Sequence, residues 1–297
     1  MPISIAHLGP SGTYTEAAAL ACANWLYQKT GQPSVLSPYA SIAQTIRAAA
    51  EGKAQLAVVP VENSIEGSVT ITLDTLWQLD RLQVQQAIVL PIAHALLSYA
   101  EAIDQIQKVY SHPQALAQCQ VWLANALPSA QPIAMSSTTE ALQHLKDDPT
   151  AAAISSLRAA NLYQIPILAH PINDHPDNCT RFWVLSLEET AGGSCTSLAF
   201  SLPANIPGAL VKLLQIFAQR NINLSRIESR PTKRSLGDYL FFIDIEANLQ
   251  SAAVQSALAE LKPHTETLKI LGSYDITSAA KTAKEAVQLS NPPQNLL

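Results

Sequence analysis

Over residues 1–187, short apolar runs alternate with segments whose apolar residues have helical spacing. The run at 3–8 is typical of a buried strand, and the Ala-rich segment 16–29 is typical of a helix. Strands that alternate with helices predict an α/β fold. One apolar stretch, 87–98, is long enough to cross from one lobe to another. Further strands are predicted at 35–36, 55–60, 108–111, 133–135, 151–156 and 182–185, and further helices at 41–51, 69–79, from 112, at 137–146 and at 157–161.

After residue 195 the alternation changes. A polar, glycine-bearing linker is predicted at 188–195. The segment 196–276 has the βαββαβ order of a ferredoxin-like unit. Its strands are predicted at 196–202, 221–227, 238–246 and 267–272, and its helices at 207–219 and 251–261. Residues 277–297 are predicted to form a tail, helical from about 279 and frayed at its end.

Composition narrows the class of protein. Apolar residues make up 48% of the 297 residues and charged residues 14%, as in globular proteins. The net charge of −5 argues against nucleic acid as a partner, because no Lys/Arg block is present to neutralise phosphates. The first predicted strand begins at Ile3, which argues against a signal peptide. The longest apolar run, 88–97, is too short to span a bilayer. We therefore expect a cytoplasmic protein without a membrane partner.

The four cysteines do not predict a metal site. They form no Cys-x-x-Cys pair and have no His at zinc spacing, so no metal is expected. Cys22 and Cys119 fall on apolar helix faces and are expected in the core. Cys179 stands beside Thr180, but the sequence shows no base that would activate it as a nucleophile.

Four polar clusters mark the ends or beginnings of predicted elements, at 10–15, 62–68, 111–115 and 178–181. The first is a turn with glycines and hydroxyls before a helix, which suits an anion, although an ordinary capped turn explains it equally well. The second follows a strand, where open α/β sheets bind ligands. In the third, His112 is expected to cap a helix or orient a substrate. The fourth is a polar turn that enters a strand.

Three of these clusters resemble the signatures of the prephenate dehydratase family. They are Val-Glu-Asn-Ser-x-x-Gly at 61–67, Ser-His-Pro-Gln-Ala at 111–115 and Asn-x-Thr-Arg-Phe at 178–182. The resemblance extends over 1–187 in register. It implies two lobes of the type II periplasmic-binding-protein-like architecture, with a cleft at the hinge into which the four clusters open.

The resemblance also implies a reaction. A prephenate dehydratase removes the ring hydroxyl and the ring carboxylate together, leaving phenylpyruvate, water and CO₂, and needs no metal or organic cofactor. Thr180 would donate a hydrogen bond to the departing hydroxyl, directly or through Asn178 or water. Arg181 could pair with a substrate carboxylate or brace the fold. The candidate catalytic residues are Thr180, Asn178, Asn63 and Glu62. The candidate substrate-binding residues are Ser11, Thr13, Tyr14, Ser64, Ser111, His112, Gln114, Ser155, Arg181 and Phe182.

Glu62 and Glu66 would repel a dianionic substrate if both were ionised inside the cleft. At least one of them is therefore expected to orient hydrogen-bond donors from behind the residues that contact the substrate. Ser155 and Ser156 are both expected to cap the helix that follows them.

The second unit resembles an ACT regulatory domain in two short segments. These segments resemble its phenylalanine-binding elements, which implies feedback regulation by L-phenylalanine. The residues concerned are Pro207, Gly208, Ala209, Leu210, Glu228, Ser229, Arg230 and Pro231. ACT-like units commonly cover exposed sheet edges by pairing side by side, so a homodimer or homotetramer is expected.

Three alternatives remain at this point. Arogenate dehydratase performs the same elimination on an aminated side chain, and the sequence does not separate the two. A non-catalytic phenylalanine sensor is disfavoured by the intact Asn-x-Thr-Arg-Phe segment and by the lack of a signal peptide. A chorismate mutase fusion is disfavoured because the first strand begins at Ile3.

Overall fold

The computed structural model describes residues 2–278. The strands are β1 (Ile3–Leu8), β2 (Ser34–Tyr39), β3 (Leu56–Asn63), β4 (Gly67–Ser68), β5 (Gln83–Pro91), β6 (His94–Leu97), β7 (Lys108–Ser111), β8 (Gln131–Ala134), β9 (Ala151–Ser156), β10 (Ile167–Ala169), β11 (Cys179–Ser186), β12 (Cys195–Ser201), β13 (Leu224–Pro231), β14 (Tyr239–Ile245), β15 (Thr267–Tyr274) and β16 (Ile276–Ser278). The helices are α1 (Tyr14–Thr30), α2 (Ile42–Ala50), α3 (Thr70–Trp77), α4 (Pro113–Ala117), α5 (Gln120–Ala126), α6 (Leu157–Tyr163), α7 (Ala209–Ala218) and α8 (Ala252–Leu261).

The first lobe is built on a seven-stranded mixed sheet. Its order is β16-β5-β11-β3-β1-β2, with β4 paired to β3. Strand β1 runs parallel to β2 and β3, while β11 runs antiparallel to β3 and β5. The register of β11 against β3 places Thr180 opposite Asn63. Two residues that are far apart in the sequence are thereby neighbours in the sheet.

The second lobe has a five-stranded sheet in the order β10-β6-β9-β7-β8. The predicted crossing is confirmed, but the stretch 87–98 is interrupted and forms two strands. Strand β5 ends at Pro91 in the first sheet, and β6 begins at His94 in the second. A proline cannot donate a ladder hydrogen bond, which accounts for the end of β5 there. Strand β11 returns the chain to the first lobe.

The turn after β1 joins the two lobes. Ser156 donates from Oγ to the carbonyl oxygen of Gly12 at 2.7 Å, and Arg158 pairs with Glu16 at 2.8 Å. Gly12 has φ +89°, and a Cβ there would lie 3.1 Å from that of Ala159. Partial burial raises the pKa of Glu16, but hydrogen bonds from Arg158 and Gly12 outweigh it, so the pKa is lowered.

The C-terminal domain has a four-stranded antiparallel sheet in the order β13-β14-β12-β15, and its element order is the predicted βαββαβ. Helices α7 and α8 share an apolar core with this sheet, which includes Phe200, Phe217 and Ile243. Other residues of the sheet, such as Phe242 and Tyr274, are buried in one cluster with Trp183 of the first lobe. The sheet is therefore covered by helices on one side and by the first lobe on the other.

Several predicted boundaries were wrong. Strand β3 continues to Asn63, and β13 includes Glu228 to Pro231, which were expected to follow a strand. The helix expected at 137–146 is a 3₁₀ turn at Glu140–His144. The tail expected from 277 begins inside β16, which pairs in parallel with β5. The helix expected from 279 lies outside the described residues. Among the helices of residues 2–278, none has the length and apolarity needed to cross a bilayer.

Candidate active site

A cleft of about 480 Å³ lies between the two lobes. Among the candidate residues, Thr13, Tyr14, Asn63, His112, Gln114, Thr180 and Phe182 line it. His94, Gln118, Ser136, Ser137 and Thr138 line it as well. Within the part of the chain that the structure describes, no Asp, Glu, Lys or Arg side chain is among the lining residues. The cleft therefore offers neutral hydrogen-bonding groups and apolar surface.

Asn63 holds Thr180 in a defined position. Its Nδ2 donates to Thr180 Oγ1 at 2.9 Å and to Asn178 Oδ1 at 2.8 Å. Its Oδ1 accepts from the backbone N–H groups of Ile65 and Glu66, each at 3.1 Å, which fixes the orientation of the amide. The Thr180 oxygen thus accepts a hydrogen bond from Asn63. Its own proton remains available for a group in the cleft.

A chain of polar groups extends from this pair into the second lobe. Asn178 donates from Nδ2 to Gln118 Oε1 at 2.9 Å, and that oxygen lies 3.1 Å from His94 Nε2. His94 Nδ1 lies 3.2 Å from the Tyr14 hydroxyl, which also faces the Ala93 carbonyl oxygen at 2.8 Å. Gln118, His94 and Asn178 are all buried. These contacts hold Asn178 and Asn63 rigidly behind the Thr180 hydroxyl.

Burial keeps the titratable groups of the cleft neutral. It lowers the pKa of His94, with an opposing contribution from the Gln118 hydrogen bond, and it lowers the pKa of His112. It raises the pKa of Tyr14 far above its usual value. Near pH 7 the available hydrogen-bond donors are therefore hydroxyl, amide, backbone and neutral imidazole N–H groups.

Comparisons with known proteins agree with this architecture. The prephenate dehydratase family model matches residues 5–190, and the ACT domain model matches 196–263. The chain belongs to the prephenate dehydratase family. It is 41% identical to the bifunctional chorismate mutase/prephenate dehydratase of Aquifex aeolicus, over 92% of this chain and 73% of that protein. It is 37% identical to the prephenate dehydratase of Lactococcus lactis subsp. cremoris, over 93% of this chain and 99% of that protein.

A solved structure has the same fold over nearly the whole chain. The prephenate dehydratase of Arthrobacter aurescens, in complex with L-Phe, superposes with a TM-score of 0.81 at 33% identity, over 97% of this chain and 98% of that one. Members of the prephenate dehydratase family are lyases, and the cleft is the candidate active site.

Some residues expected at the active site of a prephenate dehydratase lie outside the cleft. Ser64 accepts from the Cys179 N–H at 3.0 Å, and Ser111 donates to the Ile154 carbonyl oxygen at 2.7 Å. Ser155 is fully buried in β9, and Ser156 alone caps α6. Ser11, Asn178, Glu62 and Arg181 are likewise absent from the lining.

Glu62 and Arg181 lie on the opposite face of the sheet from the cleft. Arg181 lies 3.4 Å from Glu62 and 3.1 Å from Asp244 of the ACT domain. Thr180 and Asn63, their neighbours in the sequence, line the cleft. Successive side chains of a strand point to opposite faces, so adjacent residues of one strand do not share the active site.

His94 and Gln118 were missed as active-site residues. His94 is the one charged or titratable residue inside the apolar run 88–97, and a buried polar group of this kind needs a partner. Gln118 lies one helical turn after Gln114 in the Ser-His-Pro-Gln segment. Both signals are present in the sequence.

In the ACT domain, the two candidate phenylalanine-binding segments have different surroundings. Gly208 precedes α7 with φ +82°, and a Cβ there would meet nothing within 4 Å. Pro207 is exposed, while Ala209 and Leu210 are half-buried. In β13, Glu228 accepts from Ser68 Oγ at 3.1 Å, and Arg230 binds both carboxylate oxygens of Asp74 at 3.0 and 3.2 Å. Ser229 and Pro231 are exposed.

Proposed function

We propose that the cleft converts prephenate to phenylpyruvate with Thr180 at the leaving hydroxyl. The observation that carries this proposal is the 2.9 Å bond in which Thr180 Oγ1 accepts from Asn63. Because Thr180 Oγ1 is the acceptor in this bond, its own proton is free to be donated to a group in the cleft. Asn178 and Gln118 are positioning residues in the proposal, because they act on the Thr180 hydroxyl only through Asn63, whose amide they hold in place.

The proposed reaction is a concerted or stepwise loss of two groups from the ring. The bond to the ring carboxylate breaks and releases CO₂, its electron pair enters the ring, and the C–O bond breaks on the opposite side. The leaving oxygen, stabilised by the hydrogen bond from Thr180, takes up one proton that comes from solvent and departs as water. Aromatisation drives the reaction, so the protein needs to orient the substrate and stabilise the leaving oxygen.

The substrate carboxylates would be bound by neutral donors. Helix α1 begins at the cleft, and Thr13 accepts from the N–H of Glu16 at 3.3 Å as its cap. The positive end of a helix dipole favours an anion at this place. The hydroxyls of Ser136 to Thr138 lie on the wall of the cleft, and Pro10, Ile42 and Val69 offer apolar surface to the ring.

Prephenate is the expected substrate rather than arogenate. The arogenate side chain carries an ammonium group, and burying it without an anionic partner would be costly. Within residues 2–278 no carboxylate side chain lines the cleft. We expect purified protein to form phenylpyruvate from prephenate at a kcat/KM at least about 10-fold above that for arogenate, for a difference of one charged contact. Aromatic absorbance measures both reactions. A preference for arogenate would make the chain an arogenate dehydratase.

We further propose that L-phenylalanine inhibits the enzyme by binding the ACT domain at Gly208 and at the segment 228–231. The match of residues 196–263 to the ACT domain and the L-Phe complex of the Arthrobacter relative support this proposal. We also propose that residues 1–187 form the catalytic domain, residues 188–195 the linker and residues 196–276 the ACT domain.

We propose a cytoplasmic location as well, because prephenate is an intermediate of amino-acid biosynthesis.

The chain is expected to form at least a homodimer. Strand β13 is an edge of the ACT sheet, and Ile227 on it is 47% exposed. An exposed apolar edge strand favours pairing with a second copy. Light scattering at micromolar concentration should give a mass of at least twice the monomer mass of 31.9 kDa. A mass of one chain would contradict the proposed dimer.

A further inference from the structure

Side chains of strand β11 alternate between the cleft and the ACT domain. Thr180 and Phe182 line the cleft, whereas Arg181 and Trp183 face the ACT domain. Each of the latter two residues bonds directly to the ACT sheet. A movement of that sheet would therefore act on the backbone that carries Thr180.

The contact of Arg181 is part of a buried charged cluster. Its Nη1 donates to Asp244 Oδ2 at 3.1 Å, and Asp244 is fully buried. The same carboxylate accepts from Arg226 Nε at 2.8 Å, from Arg226 Nη2 at 3.3 Å and from Ser197 Oγ at 2.5 Å. Asp244 thus has a cationic partner and a hydroxyl within its own domain. Arg181 is not needed to neutralise it.

A second link runs beside the first. Trp183 donates from Nε1 to the Tyr274 hydroxyl at 3.0 Å, and that hydroxyl lies 2.7 Å from Ser197 Oγ. Ser197 connects both links to Asp244. Arg226 belongs to β13, two residues before Glu228 of the candidate phenylalanine-binding segment. The cluster therefore links β13, which carries the candidate phenylalanine-binding segment, to β11, which carries Thr180.

We propose that Arg181 is a positioning residue whose contact with Asp244 holds Thr180 in its active position and transmits the state of the ACT domain to it. This inference rests on the proposed function of Thr180. Thr180 and Arg181 share a rigid peptide unit, so a shift of the Arg181 backbone changes the distance between Thr180 Oγ1 and Asn63 Nδ2. Thr180 Oγ1 must stay aligned with the leaving oxygen for its hydrogen bond to assist the reaction.

The geometry separates this role from substrate binding. Arg181 could reach the cleft only if β11 slipped by one residue, and such a slip would also turn Phe182 and Trp183 to the wrong faces. A residue that positions Thr180 affects the chemical step. A residue that binds a substrate carboxylate affects KM as well.

The test compares Arg181→Met with Arg220→Met in the full chain. The side chains of Arg181 and Arg220 are both 21% exposed, and Arg220 pairs with Glu260 inside the ACT domain. With prephenate as substrate, we expect Arg181→Met to lower kcat by about 5- to 100-fold with KM nearly unchanged, and to weaken inhibition by phenylalanine, as a lost coupling predicts. Arg220→Met should match the wild type in kcat, KM and inhibition.

Asp244→Asn completes the comparison. Because Arg181 and Asp244 act through one contact, the double variant Arg181→Met/Asp244→Asn should be no slower than the slower single variant. If Asp244→Asn does not fold, the Arg181→Met variant alone still tests the proposal, because a positioning role lowers kcat and a substrate-binding role raises KM. A rise in KM of about 100-fold or more would assign Arg181 to substrate binding and overturn the proposal. A lowered Tm with unchanged kcat and inhibition would make Arg181 a bracing residue only. Failure of the wild type to turn over prephenate would overturn the proposed function instead.

Discussion

Replacement of Thr180 by valine should lower kcat for prephenate by about 100-fold or more. Valine keeps the shape of threonine and removes the hydroxyl that, in our proposal, stabilises the leaving oxygen. KM should change little, because that hydrogen bond strengthens only as the C–O bond breaks. Steady-state kinetics by aromatic absorbance measure the effect.

The fold should tolerate this change. Asn63 Nδ2 keeps two other acceptors, Asn178 Oδ1 at 2.8 Å and the Cys179 carbonyl oxygen at 3.2 Å, so no donor is left unpaired. Thr196→Val is a matched control. Thr196 is also a buried strand threonine, and its hydroxyl donates to the Ala247 carbonyl oxygen outside the cleft. The kcat of the Thr196→Val variant should stay near that of the wild type. A near-normal kcat in Thr180→Val would remove Thr180 from the mechanism.

The sequence predicted the composition of the cleft better than its geometry. The alternation of strands and helices predicted an α/β fold and a ferredoxin-like domain, because hydrophobic periodicity reports local structure, and the family resemblance implied the two lobes. The pairing of Thr180 with Asn63 joins residues 117 positions apart. Only the sheet register determines such a contact, and a one-residue slip of β11 would turn Thr180 to the other face of the sheet.

The boundary of one strand explains the placement of Arg181. With a strand beginning at Phe182, Thr180 and Arg181 would be loop residues, and both could face a substrate. Strand β11 instead begins at Cys179, so its side chains alternate between the cleft and the ACT domain. Glu62 points away from the cleft for the same reason, since β3 continues to Asn63 instead of ending near residue 60. An error of three residues in a boundary thus changes which side chains share a site.

In the ACT domain, alternate residues of the candidate phenylalanine-binding segment 228–231 also share one face of a strand. Glu228 and Arg230 lie two residues apart in β13 and both contact the first lobe, at Ser68 and Asp74. Ser68 belongs to β4, which pairs with β3 at Glu62, next to Asn63. Phenylalanine bound at this segment would therefore act on contacts that reach the proposed catalytic residues.

Gly208→Val should abolish inhibition by phenylalanine and leave turnover without the effector within a few-fold of the wild type. Gly208 adopts φ +82° at the start of α7, where the free N–H groups suit a ligand carboxylate. A valine side chain would fill the space beside these groups, and its β-branched side chain disfavours this φ. At saturating phenylalanine, a typical coupling free energy would weaken the binding of prephenate to the wild type by about 5- to 150-fold. The variant should show no such weakening.

Gly31→Val separates blocking of the site from backbone strain. Gly31 follows α1 with φ +69°, and, as at Gly208, a Cβ there would meet nothing within 4 Å. Both variants carry similar strain, but only the one at Gly208 lies in a candidate phenylalanine-binding segment. Gly31→Val should therefore remain fully inhibitable, even if its Tm falls. Isothermal titration with phenylalanine should show binding to Gly31→Val and none to Gly208→Val. If Gly208→Val is still inhibited as strongly as the wild type, phenylalanine acts elsewhere or competes in the cleft, because a ligand that depends on these N–H groups could not bind beside the new side chain.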